Sequence, residues 1–276
     1  MRNIEIEYLG LLAGVLYGGK NKEDRTGTGT RSVFGRMLRH DMALGFPVIT
    51  TKKIYVKNAI TELLWILSGR TDLAYLVDNG VNYWNDDYSR SKRRDGTLGP
   101  VYGKQWRNFG GVDQLRNAVM EIRNNPTSRR IMVTSWNPVE LPDMVLPPCH
   151  YGFQVYCRDG QIDLMWQQRS ADLFLGVPYD IVMYGLLLEM LAKGANMKAG
   201  KLICSLGDCH LYNNHIDQAK LQLSREPNLL PTIELNRGLE IIAGANNFLS
   251  IPSKNDINIK NYKYHDPIKA KLSVGQ

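Results

Sequence analysis

The sequence predicts a single α+β domain over residues 1–276. Helix-period and strand-period segments interleave along the whole chain. No repeat, low-complexity tract or linker divides it. At 276 residues and 43% hydrophobic content, the chain is long enough to bury a full core. One α+β domain is the economical architecture.

Taken in order, Ile4, Tyr8, Leu11, Leu12, Val15 and Leu16 recur at helical spacing, and Gly18-Gly19 closes that helix. Asp24-Arg-Thr-Gly-Thr-Gly-Thr30 sets two glycines among hydroxyls and one arginine. Such a turn can aim backbone N–H groups at an anion, and a plain loop explains it equally. It lacks the Gly-Lys-Ser/Thr ending of a nucleotide P-loop. Ser32 to Met42 read as a strand, and Phe46 to Lys52 as a turn into an extended piece. Asn58 to Leu67 form an apolar helix, with Gly69 past its end. Glu62 inside it either points out at an edge or is a buried acid with a raised pKa. Asp72 to Asp78 form a second helix and Trp84 to Tyr88 begin a polar loop. Leu98 to Arg107 read as a loop dense in glycine and aromatics, suited to shaping a pocket. Val112 to Asn124 are an amphipathic helix, broken by Asn125-Pro126. Arg129-Arg130 lead into a strand, Ile131 to Trp136. Pro138, Pro142 and Pro147-Pro148 make a rigid connector that delivers Cys149. Tyr151, Phe153, Val155 and Cys157 alternate as a strand, Arg158-Asp-Gly160 turns it, and Ile162 to Gln168 return. Val182 to Ala192 are a central apolar helix, Leu202 to Ser205 a strand and Asn214 to Leu223 a helix. The tail from Leu235 is strand-like with loops.

Composition narrows the function. There is no run of eighteen apolar residues, so no membrane span is expected. Met1 to Glu7 is acidic and lacks the apolar core of a signal peptide, so a cytoplasmic protein is expected. Four cysteines without C-x-x-C spacing and five scattered histidines argue for a reduced, metal-free protein. The net charge of +7 favours anionic ligands, either nucleic acid or small phosphates and carboxylates. The one dense basic cluster, Arg90-Ser-Lys-Arg-Arg94, reads as a solvated loop, and no nucleic-acid partner is expected.

The chemistry-bearing residues gather around one thiol. Cys149 follows two prolines, with His150 beside it and Arg169 across the hairpin. Nearby positive charge lowers a thiol pKa and makes a nucleophile, and the alternative is a buried packing cysteine. Arg25, Arg129, Arg130 and Arg169 could together hold a phosphate dianion through forked hydrogen bonds. Singly, each suits a surface ion pair.

Seven motifs resemble the thymidylate synthase family in order along nearly the whole chain. They are Asp24-Arg-Thr-Gly-Thr-Gly-Thr30, Gly99-Pro-Val-Tyr-Gly-Lys-Gln-Trp106, Pro147-Pro-Cys-His150, Gln168-Arg-Ser-x-Asp172, Phe174-Leu-Gly-x-Pro178, Gly207-Asp-x-His-Leu-Tyr212 and Leu223-Ser-Arg-Glu-Pro227. The resemblance implies a large twisted mixed β-sheet with helices on one face, and a homodimer whose sheets pack face to face. It implies transfer of one carbon from 5,10-methylenetetrahydrofolate to C5 of a pyrimidine deoxynucleoside monophosphate. By the same resemblance Cys149 adds to C6 of the base, Glu62 relays protons and Tyr102 helps remove the C5 proton. Arg25, Arg169 and Ser170 contact the phosphate, with Arg129 and Arg130 reaching the site of the other subunit. His210 and Tyr212 bind the ribose. Trp84, Asp172, Leu175, Gly176 and Tyr179 line the folate site, and Lys52 meets its glutamate tail.

One position departs from the methylating enzymes. Asp180 stands where they carry a uracil-reading Asn. An ionised carboxylate only accepts hydrogen bonds, whereas an amide both accepts and donates. A mismatched buried hydrogen bond costs roughly 1–3 kcal/mol, enough to change base preference. The resulting expectation is a deoxycytidylate transferase of the hydroxymethylase branch. It would act on dCMP to give its 5-hydroxymethyl or 5-methyl product, with a phage origin and host cytoplasm inferred from that product. The alternative is conversion of dUMP to dTMP. Asn85, Asp87 and the two residues after Val274, Gly275 and Gln276, also differ from the synthases and suggest a wetter site. An idle nucleic-acid-binding protein is disfavoured because Cys149, Glu62, Tyr102 and Arg169 are present together.

Overall fold

The computed structural model describes residues 3–243 and 248–274. Helix α1 (Ile4–Gly18) opens on Asn3, whose side chain accepts from the backbone N–H groups of Glu5 and Ile6. Strands β1 (Lys20–Lys22) and β2 (Thr30–Asp41) follow. Helices α2 (Val56–Leu67), α3 (Leu73–Asp78), α4 (Asn85–Arg90), α5 (Tyr102–Asn108) and α6 (Gln114–Asn124) come next. After them run β3 (Met132–Thr134), β4 (His150–Arg158), β5 (Gln161–Asp172), α7 (Gly176–Gly194), β6 (Lys198–Tyr212) and α8 (Ile216–Leu223). The C-terminal part carries β7 (Thr232–Leu235), β8 (Glu240–Ile242), β9 (Phe248–Ser250) and β10 (Ile257–Lys260).

The main sheet has the order β1-β2-β6-β5-β4-β3. It is mixed: β5 and β6 run parallel, and the other neighbours are antiparallel. The α7 crossover between β5 and β6 is what makes their parallel pairing possible. Alternation decides the two faces. Phe153, Val155, Leu164, Trp166, Leu202, Cys204 and Leu38 are buried under the helices, with α1 on β2 and β6 and α7 on β5 and β6. The α7 helix is apolar nearly all round because it is sandwiched between the sheet and α2. Burying one such leucine contributes about 1.5–3 kcal/mol. Met37, Met132, Tyr151 and Tyr156 stay exposed.

Two expected loops are helical. Trp84 to Tyr88 lies largely in α4, and Leu98 to Arg107 contains most of α5. Glycine disfavours helix, yet α5 keeps Gly103 because a Cβ there would sit 2.4 Å from the Arg70 carbonyl oxygen. Tertiary contact at that point overrides local propensity. Helix α7 also begins at Gly176, before the expected Val182, and β6 spans fifteen residues where four were expected. The hairpin between β4 and β5 forms as expected, with Asp159 and Gly160 both at positive φ.

The buried Glu5 shows how a charge is tolerated in this core. Its carboxylate accepts from the backbone N–H groups of Thr50 and Thr51 at 2.8 and 2.7 Å and from the Thr50 hydroxyl at 2.7 Å. That clamp fixes the extended 46–52 segment against α1.

Candidate active site

Parallel pairing makes β5 and β6 end side by side, with Ser170 opposite Asp208 and Asp172 opposite His210. The start of α7, α2, α5 and the Pro147-Pro148 connector close around those ends. Between them lies a cleft of about 710 Å³. Most candidate residues line it: Arg25, Glu62, Trp84, Tyr102, Cys149, His150, Arg169, Ser170, Asp172, Leu175, Gly176, Tyr179, Asp180, His210 and Tyr212. Arg129 and Arg130 are exposed and do not line it. Lys52 also lies off the cleft. Its ammonium is buried 3.5 Å from the Phe174 ring centroid and donates to the Phe174 carbonyl, and burial pulls its pKa down to about 7.

The connector is pinned to the sheet by Arg169. Its Nε and Nη2 donate to the Pro148 and Pro147 carbonyls at 2.9 Å each, and its N–H donates to the Cys149 carbonyl. The Cys149 N–H donates to the Tyr102 hydroxyl oxygen at 3.0 Å. Cys149 is therefore held at both peptide faces. Its thiol is not activated as expected: burial pushes it up to about 11, and Arg169 offsets only part of that. His150 adds no positive charge, because burial pulls it down to about 3. The neutral imidazole stacks on Tyr102 at 4.2 Å between centroids and lies 2.8 Å from the Tyr184 hydroxyl. Cys149 is a thiol at rest and must lose its proton as it attacks.

Glu62 is half-buried, with its carboxyl at the cleft floor. Tyr83 Oη donates to one of its oxygens and Trp84 Nε1 donates to the other at 2.7 Å. Burial pushes its carboxyl up, and the two donors pull it partly back. A second acid, Asp180, sits on the first turns of α7. Gln168 Nε2 donates to Asp180 Oδ2 at 2.9 Å, and His150 Nε2 lies 3.9 Å from Oδ1. Burial pushes Asp180 up to about 7, with Gln168 opposing and Glu62 and Asp172 adding to the rise.

The rim is ionic. Arg25 and Arg169 are exposed cations facing the cleft, with Ser170 beside them. The 24–30 turn does not turn all its amides outward. The Asp24 carboxylate accepts from Thr26 and Gly29 N–H, each at 2.8 Å, so it plugs its own loop and holds Arg25 at the rim. Gly29 is required there: its φ is +74°, and a Cβ would meet Asn213 Nδ2 at 2.5 Å. On β6, His210 Nδ1 lies 3.5 Å from Asp208 Oδ1, and Lys22 bridges to Asp208. Burial pulls His210 down, but the hydrogen bond and charge of Asp208, together with Asp172, raise it overall.

The far wall combines Trp84, Leu175 and Tyr179 with the Asp172 carboxylate, whose Oδ1 accepts from Phe174 and Leu175 N–H at 2.9 and 3.2 Å. Flat apolar walls with one fixed acceptor fit a heteroaromatic ring that carries N–H donors. Leu272, Ser273 and Val274 complete the lining, held by His215 Nε2 donating to the Lys271 carbonyl at 2.8 Å. Gly275 and Gln276, which the wetter-site expectation invoked, lie outside the described residues. Among the described residues no group of three or more His, Cys, Asp or Glu could hold a metal ion, and no helix is long and apolar enough to cross a membrane.

Two functional contacts had no sequence expectation, the Tyr83 donor to Glu62 and the Gln168 donor to Asp180. The signal available was an hydroxyl beside Trp84 and an amide within the Gln168-Arg-Ser motif, but neither spacing names its acceptor.

A family model described as thymidylate synthase matches residues 6–274. Three relatives, thymidylate synthases of Francisella tularensis subsp. holarctica strains FTNF002-00 / FTA, OSU18 and LVS, are each 46% identical over 283 residues. The alignments cover 97% of this chain and 99% of each relative. This overturns the expectation of a deoxycytidylate hydroxymethyl- or methyltransferase and favours the dUMP alternative. Asp180 is not simply an ionised carboxylate, because the fold buries it. Burial pushes the Asp180 carboxyl up to about 7, so its protonated form is within reach at neutral pH. A protonated carboxyl has one donor and one acceptor, as an amide side chain does.

Proposed function

Because the chain belongs to the thymidylate synthase family, whose one-carbon donor is 5,10-methylenetetrahydrofolate, we propose that it converts dUMP to dTMP. The observation that carries this reading is one cleft holding the pinned thiol of Cys149, two acids with raised pKa values and a cationic rim. Arg25, Arg169 and Ser170 take the phosphate, and His210 and Tyr212 take the ribose hydroxyl. Cys149 adds to C6 of uracil. Glu62, ionised at rest, takes up the proton that Cys149 releases and passes it through water to O4, making C5 nucleophilic. Protonated Asp180 donates to O4 and accepts from N3–H. Tyr102, with water, assists loss of the C5 proton. Bound 5,10-methylenetetrahydrofolate supplies the one-carbon unit and the hydride that reduces it to methyl. Trp84, Asp172, Leu175, Gly176 and Tyr179 orient that donor and exclude water, so hydride rather than hydroxide reaches the carbon. Lys52 is assigned to the folate tail once its side chain swings out from Phe174.

The open sheet face supports a homodimer. Strand register sets Met132 beside Gln154, Gln154 beside Met165, Met165 beside Ile203 and Met37 beside Ser205. On that face Met37, Met132, Tyr151 and Tyr156 are exposed large side chains, a surface that suits a second copy. Pairing two such faces brings Arg129 and Arg130, which precede edge strand β3, towards the second cleft. Light scattering is expected to report a dimer, and Tyr156→Asp is expected to yield monomers with little activity.

The deciding experiment incubates the protein with 5,10-methylenetetrahydrofolate and either dUMP or dCMP. Mass analysis is expected to show dTMP from dUMP, with one dihydrofolate formed per product by absorbance. Turnover of dCMP with dUMP left untouched would overturn the reading.

A further inference from the structure

The two acids at the cleft floor are not equivalent, and the difference traces to Tyr83. Each oxygen of Glu62 accepts a hydrogen bond, one from Tyr83 and one from Trp84. Asp180 has a single close donor, Gln168 Nε2 on Oδ2. Hydrogen bonds to the charged form stabilise it, and two neighbouring buried carboxyls resist being ionised together. The other titratable groups facing Glu62 are Tyr102, Tyr179 and Asp180. Burial and the charge of Glu62 hold Tyr83 well above its ordinary value, so it remains a donor at every working pH. Its ring also meets Tyr179 edge-on, at 6.2 Å between centroids and 60° between planes, which fixes the hydroxyl towards Glu62.

We infer that Tyr83 is a positioning residue that keeps Glu62 the ionised member of this acid pair and leaves the proton on Asp180. Glu62 is then the base-ready end of the proton relay, and Asp180 keeps the donor it needs to read uracil. The inference rests on the assignment of the cleft to dUMP for its consequence, but not for its test.

The test is infrared spectroscopy of the full-length protein without substrate near pH 7. Carbon-13 labelling of aspartate, or separately of glutamate, assigns the carbonyl stretch of a buried protonated carboxyl. The band is expected to move with the aspartate label and to vanish in Asp180→Asn. A band that moves with the glutamate label and vanishes in Glu62→Gln would overturn the assignment. The label shift in the wild-type protein distinguishes the two acids even where a variant fails to fold. In Tyr83→Phe, part of the band is expected to pass to the glutamate label. The acidic limb of its kcat/KM profile is expected to rise by about one pH unit, the size of one lost charge-assisted hydrogen bond. An unchanged label pattern in Tyr83→Phe would remove Tyr83 from the role. Because the infrared arms use no nucleotide, failure of dUMP turnover leaves them readable.

Discussion

The floor and the rim of the cleft hold charge in opposite ways. On the floor, Asp180 and His150 are buried and Glu62 is half-buried, and each is displaced towards its neutral form. At the rim, Arg25 and Arg169 stay in water, and their charge is available without desolvation. The floor can therefore hold and exchange protons, while the rim can only attract and hold. Chemistry should fail when the floor changes, and affinity should weaken when the rim does.

Four measurements would break or sharpen that contrast. Cys149→Ser is expected to reduce turnover by about 10⁴-fold or more while calorimetry still detects dUMP binding. Retained turnover would end the covalent mechanism. Glu62→Gln keeps both donors near the site but removes the proton carrier. Steady-state kinetics are expected to show kcat lower by about 10²–10³-fold with KM for dUMP little changed. A change in KM alone would make Glu62 a binding residue.

Third, the floor should be costly to the fold at alkaline pH. The folded Asp180 value, about 7, lies above the ~3.9 of an unfolded aspartate. The folded chain binds that proton more tightly, so this contribution falls as pH rises from about 4 to about 7 and is fully lost above. Asp180→Asn removes the dependence. Denaturant titrations should show its stability relative to wild type improving by on the order of 3–4 kcal/mol between pH 4 and pH 8. A constant difference would mean Asp180 does not hold the proton. Last, Arg25→Ala at the rim is expected to raise KM for dUMP about tenfold, with kcat within about twofold, through loss of one charged hydrogen bond. The KM of the wild type should also rise with salt more steeply than that of the variant. Equal salt slopes would show that Arg25 does not contact the phosphate.

Much of the frame was legible because it follows local periodicity. The hairpin at Asp159-Gly160, helix α1 and the core of α7 each announce themselves by spacing or turn chemistry. Helix α5 was not legible, since the reason for Gly103 is an Arg70 backbone more than thirty positions away. The motifs brought Cys149, Arg169, Asp172 and His210 forward as one group, and parallel pairing of β5 with β6 is what joins the last two in space.

What the sequence by itself determined is the inventory: a thiol after two prolines, an acid inside an apolar helix, the arginines and an aspartate at position 180. Side-chain type and order are local properties and survive without coordinates. Only the tertiary structure decided which of these groups is charged. Cys149 was expected to be acidified and is instead held up by burial, His150 is neutral, and Asp180 is poised to carry a proton. Protonation depends on how much water the fold removes and which donors it brings from distant segments, such as Tyr83 to Glu62 and Gln168 to Asp180. No spacing along the chain encodes that balance.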